Sequence, residues 1–104
     1  MVEIRIERDS ASRICAYAAS GHAEAGPAGE DIICAAISVL TDTAFLGLSR
    51  HLGRTLDYKA KDGLISVRLE QAADERTEAI LATMVLGLHE IKKMEPDRIR
   101  IIDK

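Results

Sequence analysis

The amino-acid sequence predicts a two-layer α+β fold, in which one mixed or antiparallel sheet carries two helices on one of its faces. Short segments in which apolar and polar residues alternate with a period of two indicate strands, and two longer segments with helical periodicity lie between them. The resulting order along the chain is ββαββαβ. Because 104 residues are enough for one hydrophobic core but not for two, residues 1–104 are expected to form a single domain.

The first two strands are expected to form a hairpin. Residues 1–7 alternate charged with apolar side chains, which is typical of a half-buried strand. Residues 13–19 continue this pattern, and Asp-Ser-Ala-Ser at positions 9–12 is the predicted turn. Strict alternation would place Ile14 on one face of the second strand together with Ala16 and Ala18. It would place Cys15 and Tyr17 on the other face.

A glycine-rich segment, residues 20–31, is expected to be a loop that leads into the first helix. The helix is expected to begin at Gly29-Glu30-Asp31, with Asp31 as the N-cap, and to end near Leu48 or Arg50. Two neighbouring stripes of this helix are apolar: Ile33, Ile37, Leu40, Ala44 and Leu48, and beside them Ile32, Ala36, Val39, Thr43 and Leu46. A surface this wide predicts that the helix contacts a partner chain as well as the sheet.

The second half of the chain predicts a second hairpin, a second helix and a last strand. Residues 55–59 and 64–70 are the strands, and Asp62-Gly63 is the turn signal between them. The helix is expected over residues 73–93 and is stopped by Pro96. Its core stripe consists of Ile80, Met84, Leu88 and Ile91. Residues 98–102 are the last strand.

Composition argues against several classes of partner. The net charge of −3 argues against direct nucleic-acid binding through a basic face. The longest apolar stretch, residues 32–48, contains Asp42 and several hydroxyls, so no membrane helix is expected. The N-terminus lacks the apolar region of a signal peptide, so a cytoplasmic location with reduced thiols is expected.

Cys34 is the leading candidate for chemistry. The expected helix start would place it in the first turn, where the helix dipole favours a thiolate and free N–H groups could hold an oxyanion. His22 lies where the second strand ends, and a loop that folds back would bring its imidazole to the sulfur. Asp31 could orient His22, and Ser38 lies one helical turn beyond Cys34 on the same face. The same positions are also explained if Cys34 is a buried residue that only packs in the core and His22 is a loop residue without a function.

No metal site and no cofactor site are expected. The two cysteines and the three histidines stand in separate elements, without the paired spacing from which a zinc site is built. The glycines match neither phosphate-binding fingerprint. Cys15 lies in mid-strand among small apolar residues and is interpreted as a packing residue. A redox pair of Cys15 and Cys34 is a weaker hypothesis, because nothing in the sequence brings the two together.

The run Gly21-His22-Ala23, followed after a variable stretch by residues 29–40, resembles the signature of the ribosomal-processing cysteine protease family, called Prp or YsxB-like. The family pattern is G-H-A, a short glycine-containing loop, and then G-x-D-[IV]-[IV]-C-A-A-[IV]-S-x-L, and this sequence fills every fixed position. The chain length and the element order also look like the family. Residues 24–28, Glu-Ala-Gly-Pro-Ala, lack an aromatic residue that many relatives carry there.

The resemblance implies a cysteine endopeptidase with a Cys-His dyad, in which Cys34 is the nucleophile and His22 is the base and proton donor. It implies that the substrate is the precursor of a bacterial ribosomal large-subunit protein, from which a short N-terminal extension is removed. It also implies a homodimer, which agrees with the wide apolar face of the first helix. An acidic chain suits a basic ribosomal substrate. The alternative is a non-catalytic, dimeric, ribosome-associated binding module in which Cys34 is structural.

Overall fold

The computed structural model describes residues 1–21 and 27–104, with the side chains of residues 27–31 left out of the description. Over these residues the predicted order of elements is confirmed. The elements are β1 (Val2–Arg8), β2 (Ile14–Gly21), α1 (Pro27–Leu46), β3 (Leu56–Lys61), β4 (Leu64–Leu69), α2 (Glu75–Met94) and β5 (Ile99–Asp103). A π-helical turn, Gly47–His51, continues α1.

The five strands form one mixed sheet in the order β3-β4-β2-β1-β5. The three pairs within β3-β4-β2-β1 are antiparallel, whereas β1 and β5 are parallel. Both helices cover one face of this sheet, as the apolar patterns predict. The other face carries the charged residues of β1, namely Glu3, Arg5 and Glu7.

The core lies between the sheet and the helices. Every second residue of β1 is buried there: Val2, Ile4 and Ile6. The helices contribute the buried residues Ile33, Ile37, Ala44, Leu81, Met84, Val85, Leu88 and Ile91. The helices approach each other closely at Gly87, where an added Cβ would lie 3.0 Å from a methyl carbon of Leu40. The core is therefore mostly aliphatic.

A bulge changes the face on which Tyr17 lies. Glu7 pairs with Ala16 and Arg8 pairs with Ile14, so Cys15 is an extra residue in β2. An extra residue inverts the alternation beyond it. Tyr17 therefore faces the helices like Ile14, and the prediction that these two residues lie on opposite faces is wrong.

The first helix begins earlier than the sequence analysis predicts. α1 starts at Pro27, so Asp31 is its fifth residue and the prediction that Asp31 is the N-cap is wrong. Proline is well suited to the first helical position, because its φ is already helical and it lacks an N–H that would have no helical partner there. The second helix is capped by Asp74, whose carboxylate accepts hydrogen bonds from the N–H groups of Arg76 and Thr77.

One face of α1 remains uncovered in the single chain. Ile32, Val39 and Leu46 are 68%, 63% and 38% exposed. In the part of the chain that is described, the stretch Ile32–His51 also has the length and hydropathy of a membrane-crossing helix, a test that core helices of other proteins pass as well. The other side of this stretch packs in the core through residues such as Ile37 and Leu48.

Candidate functional site

A groove of about 320 Å³ lies between α1 and the β3–β4 hairpin. Cys34 lines it from α1, and Gly21 lines it from the end of β2. The other described lining residues are Val2, Ala19, Ser20, Ile37, Ser38, Thr41, Asp42 and the hairpin residues 61–65. The groove is large enough to hold a few side chains of a peptide.

The groove exists because the sheet carries small residues beneath this part of α1. Ala19 and Gly21 leave the space under the helix unfilled. Tyr17, two residues before Ala19 on the same face of β2, has a large side chain that reaches the helix. The groove is therefore a consequence of residue size along β2.

A buried hydrogen bond holds α1 above the groove. The Tyr17 hydroxyl donates to the main-chain oxygen of Thr41 at 2.8 Å, and the Thr41 hydroxyl donates to the oxygen of Ile37 at 2.9 Å. Burial raises the pKa of Tyr17, and the nearby carboxylate of Asp42 raises it further. The phenol therefore stays protonated at neutral pH and remains a donor.

Three polar side chains of α1 line the groove at intervals of four residues: Cys34, Ser38 and Asp42. This spacing places them one above the other on one helix face. The prediction that Ser38 lies one turn beyond Cys34 on the same face is confirmed. Cys34 is a half-buried free thiol.

The position of Cys34 within α1 differs from the prediction. It is the eighth residue of the helix rather than a first-turn residue. The N–H groups without helical partners belong to the first turn, whereas at the eighth position the N–H bonds to the carbonyl four residues earlier. The prediction that first-turn N–H groups surround Cys34 is therefore wrong.

Gly21 ends β2 at the groove and requires glycine. Its φ is +91°, and an added Cβ would lie 2.5 Å from the main-chain oxygen of Met1. His22 follows directly in the sequence but lies outside the described residues, as does the side chain of Asp31. Of the four predicted site residues, the described groove therefore contains Cys34 and Ser38.

Cys15 lies away from the groove. Its Sγ is 3.6 Å from the main-chain oxygen of Glu7, to which it donates. Glu7 in turn forms an ion pair with Arg68 on the sheet face opposite the helices. Cys15 is a half-buried free thiol like Cys34, and the packing role that the sequence analysis assigns to it stays a prediction.

The described residues hold no group of three or more His, Cys, Asp and Glu side chains placed to bind a metal ion.

Sequence reasoning missed Asp42 and the hairpin residues Lys61 and Asp62 as parts of the groove. The sequence does contain a signal for Asp42. This residue interrupts an apolar run and follows Cys34 by eight residues, so on a helix it lies on the same face as Cys34. The hairpin could not be found in this way, because only the sheet topology brings it to α1.

The comparison with solved structures supports the fold. A structure of a ribosomal processing protease Prp from Staphylococcus aureus, in complex with a covalently linked product peptide, has a TM-score of 0.90 and 24% identity, and each chain covers 100% of the other. A second structure, of the S. aureus protease with a substrate peptide, has a TM-score of 0.89 and 23% identity. A structure from Streptococcus mutans has a TM-score of 0.81 and 22% identity, and the match covers all of this chain and 96% of that one.

The sequence comparisons agree with each other. A curated relative, the ribosomal processing cysteine protease Prp of S. aureus strain Mu50, is 25% identical over 104 residues, and the match covers 97% of both chains. The family model described as cysteine protease Prp matches residues 1–100. Because this match spans nearly the whole chain, the chain belongs to the cysteine protease Prp family.

Proposed function

We propose that this cysteine protease removes the N-terminal extension from the precursor of a bacterial ribosomal large-subunit protein, with Cys34 and His22 as its catalytic dyad. The observation that carries the proposal is the position of Cys34 in the groove opposite the end of β2. His22 is the next residue after that strand end. A thiol nucleophile requires a base within hydrogen-bond reach, and His22 is the histidine closest in sequence to the groove residues.

The reaction is an acyl transfer. His22 takes the thiol proton of Cys34, and the sulfur attacks the carbonyl carbon of the scissile peptide bond. When the C–N bond breaks, the imidazolium gives its proton to the departing amine, and the N-terminal extension stays on sulfur as a thioester. Water then hydrolyses the thioester with His22 as base. Asp31 is proposed to orient His22, and the Ser38 hydroxyl to contact the peptide one turn from the sulfur. The reaction needs no cofactor.

The assignment of the substrate is supported by the relatives and by charge. The curated S. aureus relatives are named ribosomal processing cysteine proteases, and the similar S. aureus structures contain a substrate peptide and a covalently linked product peptide. The net charge of −3 suits a basic ribosomal protein as partner. The proposal places the enzyme in the cytoplasm, where its substrate is made, and gives it neither nucleic acid nor membrane as a direct partner.

The proposal includes a homodimer formed through α1. Ile32 and Val39 lie seven residues apart on one face of the helix, and both are more than half exposed. Apolar side chains exposed together in this way are typical of protein interfaces. A second copy of the chain would bury them.

The test is incubation with the precursor and the mature form of the ribosomal protein, followed by intact-mass measurement. Wild-type protein and the Cys15→Ala control are expected to shorten the precursor and to leave the mature form intact. Cys34→Ala and His22→Ala are expected to leave the precursor intact. A precursor that the wild-type protein does not cleave would favour the binding module with a structural Cys34, and cleavage by Cys34→Ala would contradict the assigned nucleophile.

A further inference from the structure

Asp42 lies in the groove at a defined distance from Cys34. Both residues line the groove from α1, and they are separated by eight residues, which corresponds to about 12 Å along the helix axis at 1.5 Å per residue. The Asp42 carboxylate also contributes to the raised pKa of Tyr17, whose hydroxyl is bonded to the neighbouring Thr41. Asp42 is an exposed residue, so its carboxylate is accessible to a bound peptide.

In the described part of the chain, no cationic side chain pairs with the carboxylate of Asp42. Within residues 1–21 and 27–104, no ion pair and no hydrogen bond uses it, and Lys61 on the opposite wall forms no ion pair with it. The charged residues among the described lining are Asp42, Lys61 and Asp62, which gives this surface a net charge of −1 at neutral pH. A carboxylate in a groove with this net charge favours a cationic side chain from a ligand.

The distance from Cys34 indicates which residue of a bound peptide reaches Asp42. An extended chain advances by about 3.3 Å per residue. A peptide that lies extended along α1 with its scissile carbonyl at the Cys34 sulfur therefore places a residue about three or four positions away beside Asp42.

We propose that Asp42 is a specificity-determining residue, which binds a lysine or arginine side chain three or four residues from the scissile bond of the substrate. The inference rests on the proposed function, because it takes the peptide bond at Cys34 as the origin of the distance. Because Asp42 is exposed, solvent screens the contact between its carboxylate and a cationic side chain, and the contact is expected to change kcat/KM by about two- to five-fold.

The test is a set of otherwise neutral peptides that span the cleavage site and carry one lysine at each position from one to five residues on either side. A second set carries glutamate at the same positions. For each enzyme variant, kcat/KM is divided by that of the neutral parent peptide. The variants are wild type, Asp42→Asn, Asp42→Lys and the control Asp57→Lys, which makes the same charge change on β3 outside the groove lining.

The wild-type enzyme is expected to prefer lysine by about two- to five-fold at a position three or four residues from the scissile bond. Asp42→Asn is expected to lose this preference, Asp42→Lys to prefer glutamate at the same position, and Asp57→Lys to keep the wild-type pattern. Absence of a lysine preference in the wild type would overturn the proposal, as would a preference that survives in both Asp42 variants. An equal loss of the lysine preference in Asp57→Lys would show that the preference depends on the net charge of the protein, and this result would also overturn the proposal.

These outcomes separate the two proposals. If the wild-type enzyme cleaves the peptides in a Cys34-dependent manner without any effect of Asp42, only the role of Asp42 fails. If the wild-type enzyme cleaves none of the peptides, or if Cys34→Ala cleaves them equally well, the proposed function fails and the inference fails with it.

Discussion

Cys34 and Cys15 carry the same thiol in two different surroundings. Cys34 faces a groove that a peptide can enter, whereas the sulfur of Cys15 lies beside the main chain of Glu7 on the opposite side of the sheet. Reactivity depends on the fraction of thiolate and on access, so the two sites are expected to behave differently.

The first prediction concerns alkylation. Cys34 is expected to react with iodoacetamide at least about ten-fold faster than Cys15 at neutral pH, because in the proposed dyad the imidazole of His22 accepts the thiol proton of Cys34. His22→Ala is expected to lower the alkylation rate of Cys34 and to leave the alkylation rate of Cys15 unchanged. The rates are measured by mass spectrometry of peptides from samples quenched over time. Equal rates at the two cysteines, or no effect of His22→Ala, would favour a structural Cys34.

The second prediction concerns Gly21. Gly21→Ala is expected to destabilise the fold by about 2–4 kcal/mol, because a positive φ and a clash with the Met1 oxygen act together. Gly53→Ala is the matched control: its φ is +66°, but an added Cβ meets nothing within 4 Å, so it should cost about 1–2 kcal/mol. Urea unfolding measures both values. Equal destabilisation by the two substitutions would show that the clash is absent.

Single residues also show what the sequence can predict. The spacing of Cys34 and Ser38 fixes their shared face once a helix is assigned, because helical geometry alone determines it. The orientation of Tyr17 could not be obtained in this way, because one extra residue in β2 reverses the alternation and depends on pairing with β1. The placement of His22 relative to Cys34 remains a prediction.

At the scale of elements, α1 shows how a local signal can be misassigned. Glycine and acidic residues at positions 29–31 suggest a helix start there, but Pro27 marks the actual start. With Asp31 as the N-cap the helix would have begun at Ile32, and the difference of five residues moves Cys34 from the first turn into the body of the helix. The groove then depends on the side-chain row of α1 and on the small residues of β2 rather than on a helix end.

An ion pair links the terminal strand β5 to β1, in addition to the backbone pairing of the two strands. Arg8 donates two hydrogen bonds to Asp103, from Nε at 2.7 Å and from Nη2 at 2.9 Å. These hydrogen bonds are the main reason that the pKa of Asp103 lies below its usual value. In the unfolded chain the same carboxyl has a pKa of about 3.9.

The third prediction follows from this lowered pKa. Because the unfolded state binds the proton more readily, the contribution of Asp103 to stability is present above about pH 4 and is lost as the pH falls through the lowered folded-state pKa. The free energy of unfolding is measured in urea between pH 6 and pH 2.5. Asp103→Asn is expected to be less stable at pH 6 and to show a shallower decline below pH 4. A parallel decline in the variant and the wild type would contradict this role.

For the molecule as a whole, the main feature is the apolar outer face of α1, which is exposed to solvent in the single chain. The sequence predicts this excess of apolar surface from its two stripes, and the exposure of Ile32 and Val39 confirms that one stripe lies outside the core. The sequence cannot show what covers it, since apolar periodicity is the same for a surface buried by a sheet and for one buried by another chain.

The fourth prediction concerns this face. Wild-type protein is expected to be a dimer, and Val39→Asp a monomer, because burying an unpaired carboxylate in an apolar interface costs several kcal/mol. Ser66→Asp is the control, since it adds the same charge on the sheet face opposite the helices. Light scattering coupled to size-exclusion chromatography measures the mass. A dimer that persists in Val39→Asp would exclude this face as the interface.

The role of Cys34 as the nucleophile that attacks the precursor is tested by trapping the acyl-enzyme. Precursor and enzyme are mixed, quenched in acid within the first turnover, and analysed by intact and peptide mass spectrometry. A thioester that joins the N-terminal extension to the Cys34 sulfur is expected in the wild type and in Cys15→Ala, and it is expected to be absent in Cys34→Ser. Cleavage of the precursor by Cys34→Ser, or an adduct located on Cys15, would contradict this role of Cys34.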